Sequence, residues 1–504
     1  MLSISLGTVK QHLNTLYKRL NVRNRAMAVS QLQNKQAETA QTHVGYIRRP
    51  CAVVSFEIAE HANESSIRQL QVTLAGLAFD YQAIFLSRGK FGGALVFGIK
   101  NHSEGLMKTP LQAISLVCGA LQGADKSCVT LLKVAVSAGM AVVRHHDFAT
   151  EKLDHFVASS IVQECHSMLS GARQGFACFD DRAIGLMQAD GLGLKSKNLA
   201  EVELSVVQSL FIRPLAVPAL VNQRQDDLRQ LQEALHSQEN GIVLLQAENG
   251  LGKSLLLSHL VKAIGQQKKV VWLGVLRDKP EAMLVDLLDG VFYPLSALQK
   301  MIKQIQPQHV IVDDAHFLSK NNLESLLRAT ETTKPVARIF AGRSIKLDQS
   351  AAIVKLSKLN DASLNELLIQ ELGNEENRKL DEIKKLSSGV PLFARELAAQ
   401  DGEHIPLSLL VVIAQRLAAF HVDWEILYVL AVASQALQLD RMATALHESL
   451  QSVEQRVSEA QSFGILQVIN SRDDRWVSFR HPLVRKAVEI LCLEWDSVLQ
   501  KVSR

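Results

Sequence analysis

The residue types in this sequence that could do chemistry fall mainly in two short runs, one glycine-rich and basic, the other doubly acidic. The first is Ala247-Glu248-Asn249-Gly250-Leu251-Gly252-Lys253-Ser254, set between an apolar run and an apolar helical pattern. A glycine-permitted turn lets backbone N–H groups converge on one centre, and a helix N-terminus behind it adds positive potential, so such a loop suits phosphate. Asn249, Gly250 and Gly252 would shape the cradle, Lys253 would reach the β- and γ-phosphates of a nucleotide, and Ser254 would ligate Mg2+. Ala247 takes the place of the pattern's first glycine; it is small but restricts φ. Sixty residues beyond Lys253 comes His309-Val310-Ile311-Val312-Asp313-Asp314-Ala315-His316. Two acids closing a buried strand are costly unless they hold a cation or accept hydrogen bonds. Asp313 is expected to hold Mg2+ through water, and Asp314 to orient an attacking water. The alternative is a strand running into an Asp-capped helix. Arg343 ends the following strand, where a cation would sense a γ-phosphate; there the alternative is a surface arginine.

These groups need elements to position them. Residues 242–246 read as a strand, 253–264 as a helix, and 270–276, 309–312 and 337–341 as further strands, a doubly wound α/β pattern. From about residue 360 the spacing is helical, with short strands near 466–469 and 476–479. Upstream, residues 51–58, 91–99 and 133–143 are apolar and rich in β-branched residues and read as strands, with the segments between them as helices. That gives a second α/β domain over 47–190. Residues 191–222, with Pro214 and Pro218, read as a linker. At the start of the sequence Leu6, Val9, Leu13, Leu16 and Leu20 repeat at helical spacing, with Ser5 as N-cap. A second helix runs from Arg25 to about Asn34.

The chain has 504 residues, enough for three or more domains at roughly 100–200 residues each. Net charge is only +4, so the whole chain is no polycation. The first 49 residues differ: Lys10, Lys18, Arg19, Arg23, Arg25, Lys35, Arg48 and Arg49 face Glu38 alone. A basic excess of that kind suits a polyanion such as DNA, the alternative being a solvated basic tail. The six cysteines form no C-x-x-C pair and five have mainly apolar or small neighbours. Buried thiols in a reducing cytosol are expected, with no disulfide framework or zinc site. Lys10, Lys18 and Arg19 break any signal-peptide plan, and no uncharged apolar run is long enough to span a membrane. The expected location is the cytoplasm.

Three resemblances add to this reading. Gly250-Leu251-Gly252-Lys253-Ser254, Asp313-Asp314-Ala315-His316, Gly342-Arg343 and Ser388-Gly389-Val390-Pro391-Leu392-Phe393 together resemble the signal-transducing ATPases with numerous domains, which are AAA-related switches. The resemblance covers about 220–490. It implies that Pro391 belongs to a motif closing over the adenine from a helical lid. Phe479-Arg480-His481-Pro482-Leu483-Val484-Arg485 looks like that family's winged-helix segment, and the resemblance makes His481 the sensor of the β-phosphate. Val221-Asn222-Gln223-Arg224 departs from the Val-Gly-Arg that relatives usually show. Helical repeats that often follow in relatives would lie beyond Arg504.

The N-terminal run Ile4-Ser5-Leu6-Gly7-Thr8-Val9-Lys10-Gln11-His12-Leu13, with Tyr17-Lys18-Arg19-Leu20-Asn21-Val22 after it, is similar to the second half of a LuxR-type helix-turn-helix. The resemblance makes the segment from Thr8 to Leu20 the recognition helix. Lys10, His12 and Asn14 would then approach the major groove, while Lys18 and Arg23 would favour phosphates. The module's first helix and most of its second would lie upstream of Met1. The alternative is an amphipathic helix docking elsewhere. Finally, Val53-Val54-Ser55-Phe56-Glu57-Ile58, Gly92-Gly93-Ala94-Leu95-Val96-Phe97-Gly98 and Lys133-Val134-Ala135-Val136-Ser137-Ala138-Gly139 resemble class III nucleotidyl cyclases over about 50–185. Such cyclases need two metal-binding aspartates. Glu57 takes the first position and Phe91 the second, where phenylalanine binds no hard cation.

The sequence therefore predicts a multidomain α/β protein. Its parts are a partial helix-turn-helix (1–40), a degenerate, ferredoxin-like cyclase-type domain (47–190), a linker (191–222), a P-loop doubly wound ATPase core (223–348), a helical lid (349–402) and a winged-helix domain (403–504). The expected function is an ATP-binding, nucleotide-switched transcriptional regulator with slow ATP hydrolysis, using ATP or ADP and Mg2+. DNA, an unknown inducer and further copies of the chain are the expected partners, with no membrane. The alternatives are an active nucleotidyl cyclase and a nucleotide-binding interaction scaffold that does not bind DNA.

Overall fold

A computed structural model describes residues 45–493, apart from 101–105, 125–127, 148–151, 159, 193–200, 214–216, 238–240, 265–269, 278–281, 332–335, 373–376, 400–404, 420–423, 434 and 472–473. The N-terminal residues read as a recognition helix, Thr8, Lys10, His12, Asn14, Lys18 and Arg23 among them, lie outside the described residues.

The first domain is built on a mixed sheet. Its strands are β1 (Gly45–Ile58), β2 (Ile84–Arg88), β3 (Gly92–Phe97), β4 (Leu132–Asp147), β5 (Lys152–Ala158), β6 (Phe176–Phe179) and β7 (Glu201–Glu203). The order is β2-β3-β1-β4-β6-β7, with β5 on β4. The first four strands pair antiparallel in the order β2-β3-β1-β4, joined by the helices Glu64–Asp80 and Lys108–Ala124, and make the ferredoxin-like unit. β1 and β4 pair along the whole length of β1, from Gly45 opposite His145 to Ile58 opposite Leu132. Cys51, Val53, Val54 and Phe56 are buried on this strand, so it is apolar on both faces rather than alternating. Asn63 caps the helix Glu64–Asp80 by accepting from Ser66 N–H at 2.7 Å.

The structure differs from three of these expectations. The segment between residues 58 and 91 is a helix followed by strand β2, not a helix alone. Residues 201–211, taken as linker, are part of the sheet and core: β7 pairs with β6, and Leu204, Val207, Leu210 and Phe211 are buried in a 3-10 turn. Their apolar content is the physical reason, since a solvated linker would leave those side chains in water. Arg49, counted above as part of a DNA-facing charge excess, is buried and donates to the Ile99 carbonyl at 2.7 Å, while Arg48 donates to the Ile490 carbonyl at 3.3 Å.

The second sheet comprises β8 (Ile242–Gln246), β9 (Val270–Arg277), β10 (Met283–Asp286), β11 (Phe292–Pro294), β12 (His309–Asp313), β13 (Ala337–Gly342) and β14 (Ala352–Lys355). Its order is β11-β10-β9-β12-β13-β8-β14, with a parallel centre and an antiparallel hairpin, β10-β11, at one edge. Period-2 alternation divides its core. Ile242 and Leu244 of β8 pack in the cluster that holds Leu298 and Leu326, while Val243 and Leu245 pack with Leu256 and Leu257 on the other side. Helices therefore cover both faces, as a doubly wound sheet requires. The strand that leads into the glycine loop, β8, and the strand that ends in two acids, β12, are separated only by β13.

The helices Asp361–Leu372, Asn377–Ser387 and Pro391–Ala398 follow, Pro391 opening the last of them at N1. Beyond them the helices Leu407–Ala419, Trp424–Val432, Leu439–Leu446, Leu450–Ser462 and Pro482–Leu491 surround a small sheet, ordered β15 (Leu437–Gln438), β17 (Asp474–Phe479), β16 (Leu466–Ser471). The first domain closes against both neighbours. Ile47 of β1 bridges Cys492, and Phe211 meets Phe292 of β11 edge-on at 5.2 Å. All six cysteines are free and buried, and burial pushes the thiols of Cys51, Cys118 and Cys165 up to about 12. Among the described residues, no helix is long and apolar enough to cross a membrane.

Candidate functional site

The loop after β8 turns on two left-handed glycines, Gly250 at φ +78° and Gly252 at φ +97°. It is pinned from three directions. Ala247 N–H donates to the Gly342 carbonyl at 3.0 Å, at the end of β13. Leu392 N–H, from the start of the helix Pro391–Ala398, donates to the Gly250 carbonyl at 3.1 Å. Arg224 donates through Nε to the Leu251 carbonyl at 3.2 Å, and through its other nitrogens to the Ser357 carbonyl and the Asp227 carboxylate. Arg224 is buried, so this brace is paired at every contact named.

Lys253 opens the helix Lys253–Ile264 and curls back over the loop, donating to the Ala247 carbonyl at 2.8 Å and the Glu248 carbonyl at 3.1 Å. Burial holds its ammonium below the usual lysine range, and the nearby Asp313 and Asp314 oppose that shift. The next residue, Ser254, donates through Oγ to Asp313 Oδ2 at 2.7 Å. Burial raises Asp313, and the Asp314 charge beside it adds to the rise. Asp314 has left-handed backbone, φ +57°, and its carboxylate accepts from Lys108 Nζ at 2.5 Å. Burial alone would raise Asp314, but the Lys108 ammonium more than offsets it and holds the acid at about 2. Arg343 donates through Nε to Asn249 Oδ1 at 3.3 Å, behind the loop.

A cavity of about 350 Å³ opens over this arrangement. That is within the usual size range of small-molecule sites. Asn249, Gly250, Gly252, Lys253, Ser254 and Asp314 line it, and Pro391 and Leu392 close one side. Asp313 lies behind Ser254, fully enclosed. Thus seven of the residues picked from the sequence share one cavity with Asp313 and Arg343 directly behind it. His481 is not among the lining residues. It caps the helix Pro482–Leu491, its Nδ1 accepting from Leu483 N–H at 3.2 Å, and its ring meets Phe393 edge-on.

The donors fit a hard divalent cation. The Ser254 hydroxyl and Asp313 carboxylate are oxygen ligands brought together at the helix N-terminus, and Asp313 carries a desolvation cost that a cation would relieve. In the first domain the corresponding test fails. Glu57 stands opposite Gly92, Ile58 N–H donates to the Phe91 carbonyl at 2.8 Å, and Phe91 sits under Lys90. No cluster of three or more His, Cys, Asp or Glu suited to a metal occurs among the described residues.

Several positions that brace the loop or line the cavity are not apparent from the sequence. Arg224 follows Val221-Asn222-Gln223, and nothing local in that run marks it as a brace. Lys108, Asp190 and Arg213 line the same cavity but come from the first domain and its connection. No motif marks them; only the packing of the two domains brings them there.

No protein-family model matches the chain. No curated protein matches it either. Among solved structures, the guanylyl cyclase Cya2 is similar to 30% of this chain over 84% of its own, at 13% identity and a TM-score of 0.24. The signal transduction ATPase with numerous domains PH0952 from Pyrococcus horikoshii, which has a tetratricopeptide repeat sensor, matches 57% of this chain at 15% identity and a TM-score of 0.27; the chain spans 45% of it. Cdc6p from Pyrobaculum aerophilum matches 60% of this chain over 99% of its own, at 13% identity and a TM-score of 0.31. At such scores the functional reading rests on the geometry of the site.

Proposed function

We propose that this chain is a nucleotide-binding regulator that takes ATP or ADP with Mg2+ at Lys253 and hydrolyses ATP slowly. One observation carries the reading: the hydrogen bond from Ser254 Oγ to Asp313 Oδ2, at the mouth of a loop turned on Gly250 and Gly252. It joins a phosphate cradle to a hard-cation ligand pair from a separate strand. When bound, Mg2+ supplies charge neutralisation between the phosphates. The chain's own groups supply the rest. The loop amides and Lys253 bind the phosphates, Asp314 orients water, and Arg343 steadies the loop through Asn249. Asp314 is tied to Lys108 by an ion pair that occupies its carboxylate, which suits a slow timer better than a fast ATPase.

The coupling that a switch needs runs through the lid. Gly250 accepts from Leu392 N–H and packs beneath Val390, so a nucleotide that reshapes the loop pulls on the helix Pro391–Ala398. Different nucleotide affinities in two lid positions would shift their populations. Residues 1–40 are the proposed DNA-directed part, which makes transcription the proposed output, with an inducer and self-association as further inputs. The buried free thiols support a cytoplasmic setting.

Calorimetry of the purified chain with ATP and ADP, each with Mg2+, tests the reading. Binding that Lys253→Ala removes is the expected result. Absence of binding in the unaltered chain would sink it.

A further inference from the structure

The first domain does more than stand beside the nucleotide site. Lys108 is the first residue of the helix Lys108–Ala124, on the ferredoxin-like unit, and its ammonium reaches into the cavity of the other domain. It meets Asp314 Oδ2 at 2.5 Å, with the two side chains only 19% and 18% exposed. Arg213, from the connection between the domains, lines the same cavity. Its Nη1 donates to the Asp190 carbonyl at 2.7 Å, while its Nε is buried and has no partner among the described residues. Two cations from outside the P-loop domain thus stand at the end of the cavity marked by Asp314.

We infer that Lys108 contacts the terminal phosphate of a nucleoside triphosphate held at Lys253, and that this contact lets the site tell triphosphate from diphosphate. The inference rests on the nucleotide reading above. The loop amides cradle the phosphates nearer the nucleoside, and the loop lysine reaches the outer ones. Asp313 with Ser254 marks the cation position, and Asp314, the next residue, lines the cavity itself. A group in contact with Asp314 therefore stands in the cavity beside that cation position, on the side of the outer phosphates. Electrostatics agrees. A triphosphate must approach Asp313 and Asp314, and a buried cation beside them is needed to offset like-charge repulsion. A phosphate oxygen is also a strong competitor for the ammonium now on Asp314. When Lys108 exchanges one anion for the other, Asp314 is released to orient water. The first domain would then sense the nucleotide through one side chain.

Calorimetry with Mg2+ on the full chain separates this from a purely structural ion pair. The unaltered chain is expected to bind ATP more tightly than ADP. Lys108→Met keeps the aliphatic stem and should weaken ATP binding about tenfold while leaving ADP within twofold, and Lys108→Arg should restore much of the ATP preference. Retained ADP binding shows that the variant is folded. Asp314→Asn breaks the same ion pair but leaves the ammonium, so it should keep or strengthen ATP preference; this variant decides the matter if Lys108→Met does not fold. Equal effects of Lys108→Met on ATP and ADP, no effect on either, or loss of ATP preference in Asp314→Asn would each overturn the inference. If the unaltered chain binds neither nucleotide, the nucleotide reading itself has failed. If it binds both and Lys108→Met binds them unchanged, only the role of Lys108 has failed.

Discussion

In the first sheet the paired strands β1 and β3 bring Glu57 and Phe91 to one rim, while in the second the central strand β12 ends on Asp313 with Asp314 directly after it. Both are places where an apolar sheet delivers side chains to a rim, and both sheets are well packed. They differ in what surrounds the acid. Beside Glu57 stands Phe91, whose carbonyl accepts from Ile58 N–H, and among the described residues no cluster of His, Cys, Asp or Glu suited to a metal forms around it. Asp313 has a serine hydroxyl, a second acid and two lysines within reach of its field. A fold can persist on its core while its chemistry is lost, because burial of residues such as Val53, Val54 and Phe56 does not depend on what stands at the rim. The first domain is well packed and offers its neighbour Lys108 from a different edge.

The largest expected break in this contrast comes from Lys253→Ala. Losing the ammonium removes a charge-assisted contact to phosphate, and nucleotide affinity should fall by on the order of a hundredfold or more. A fall of less than threefold, measured by calorimetry, would put the second site on the same footing as the first.

Asp313→Asn sharpens the contrast through the metal. The unaltered chain should bind ATP more tightly with Mg2+ than in EDTA, by roughly tenfold on the scale of one lost ionic ligand. The variant should show no Mg2+ effect, and in EDTA it should bind at least as well as the unaltered chain, because a buried negative charge is gone. A Mg2+ effect that survives the change would place the cation elsewhere.

Gly250→Ala tests the link between loop and lid. The residue sits at φ +78°, and an added Cβ would lie 3.0 Å from Leu392 Cβ and 3.2 Å from Val390 Cγ1. Left-handed backbone costs an L-residue roughly 1–2 kcal/mol. The chain should lose about that much stability in denaturant titration, with a several-fold loss in nucleotide affinity. Loss of stability with unchanged affinity would mean that the lid contact does not bear on the loop.

Much of this was legible in the sequence, and the limits have physical causes. The strands β8, β9, β12 and β13 and the loop they position follow from apolar runs and glycine spacing, which are local signals. Asp313 and Ser254 were readable because two local motifs meet in a doubly wound sheet at a predictable place. The short strands β2, β7 and β14 were not, since their pairing is fixed by the sheet rather than by their own periodicity. Lys108, Arg213 and Arg224 were invisible as a set. Each is an unremarkable cation in the chain, and what it does depends on an approach between elements more than a hundred residues apart in two of the three cases.

The smallest expected effect is the most direct check on the comparison. Glu57→Ala should change neither nucleotide binding nor ATP consumption, and the unaltered chain should make no cyclic nucleotide from ATP or GTP with Mg2+ or Mn2+. A two-metal reaction needs both carboxylates to hold its cations, and Phe91 leaves the arrangement with one. Glu57 is also only half-buried, so its removal should cost little stability. Cyclic nucleotide formation that disappears in Glu57→Ala would show that the first sheet holds a metal by some other set of ligands, and the contrast between the two rims would fall.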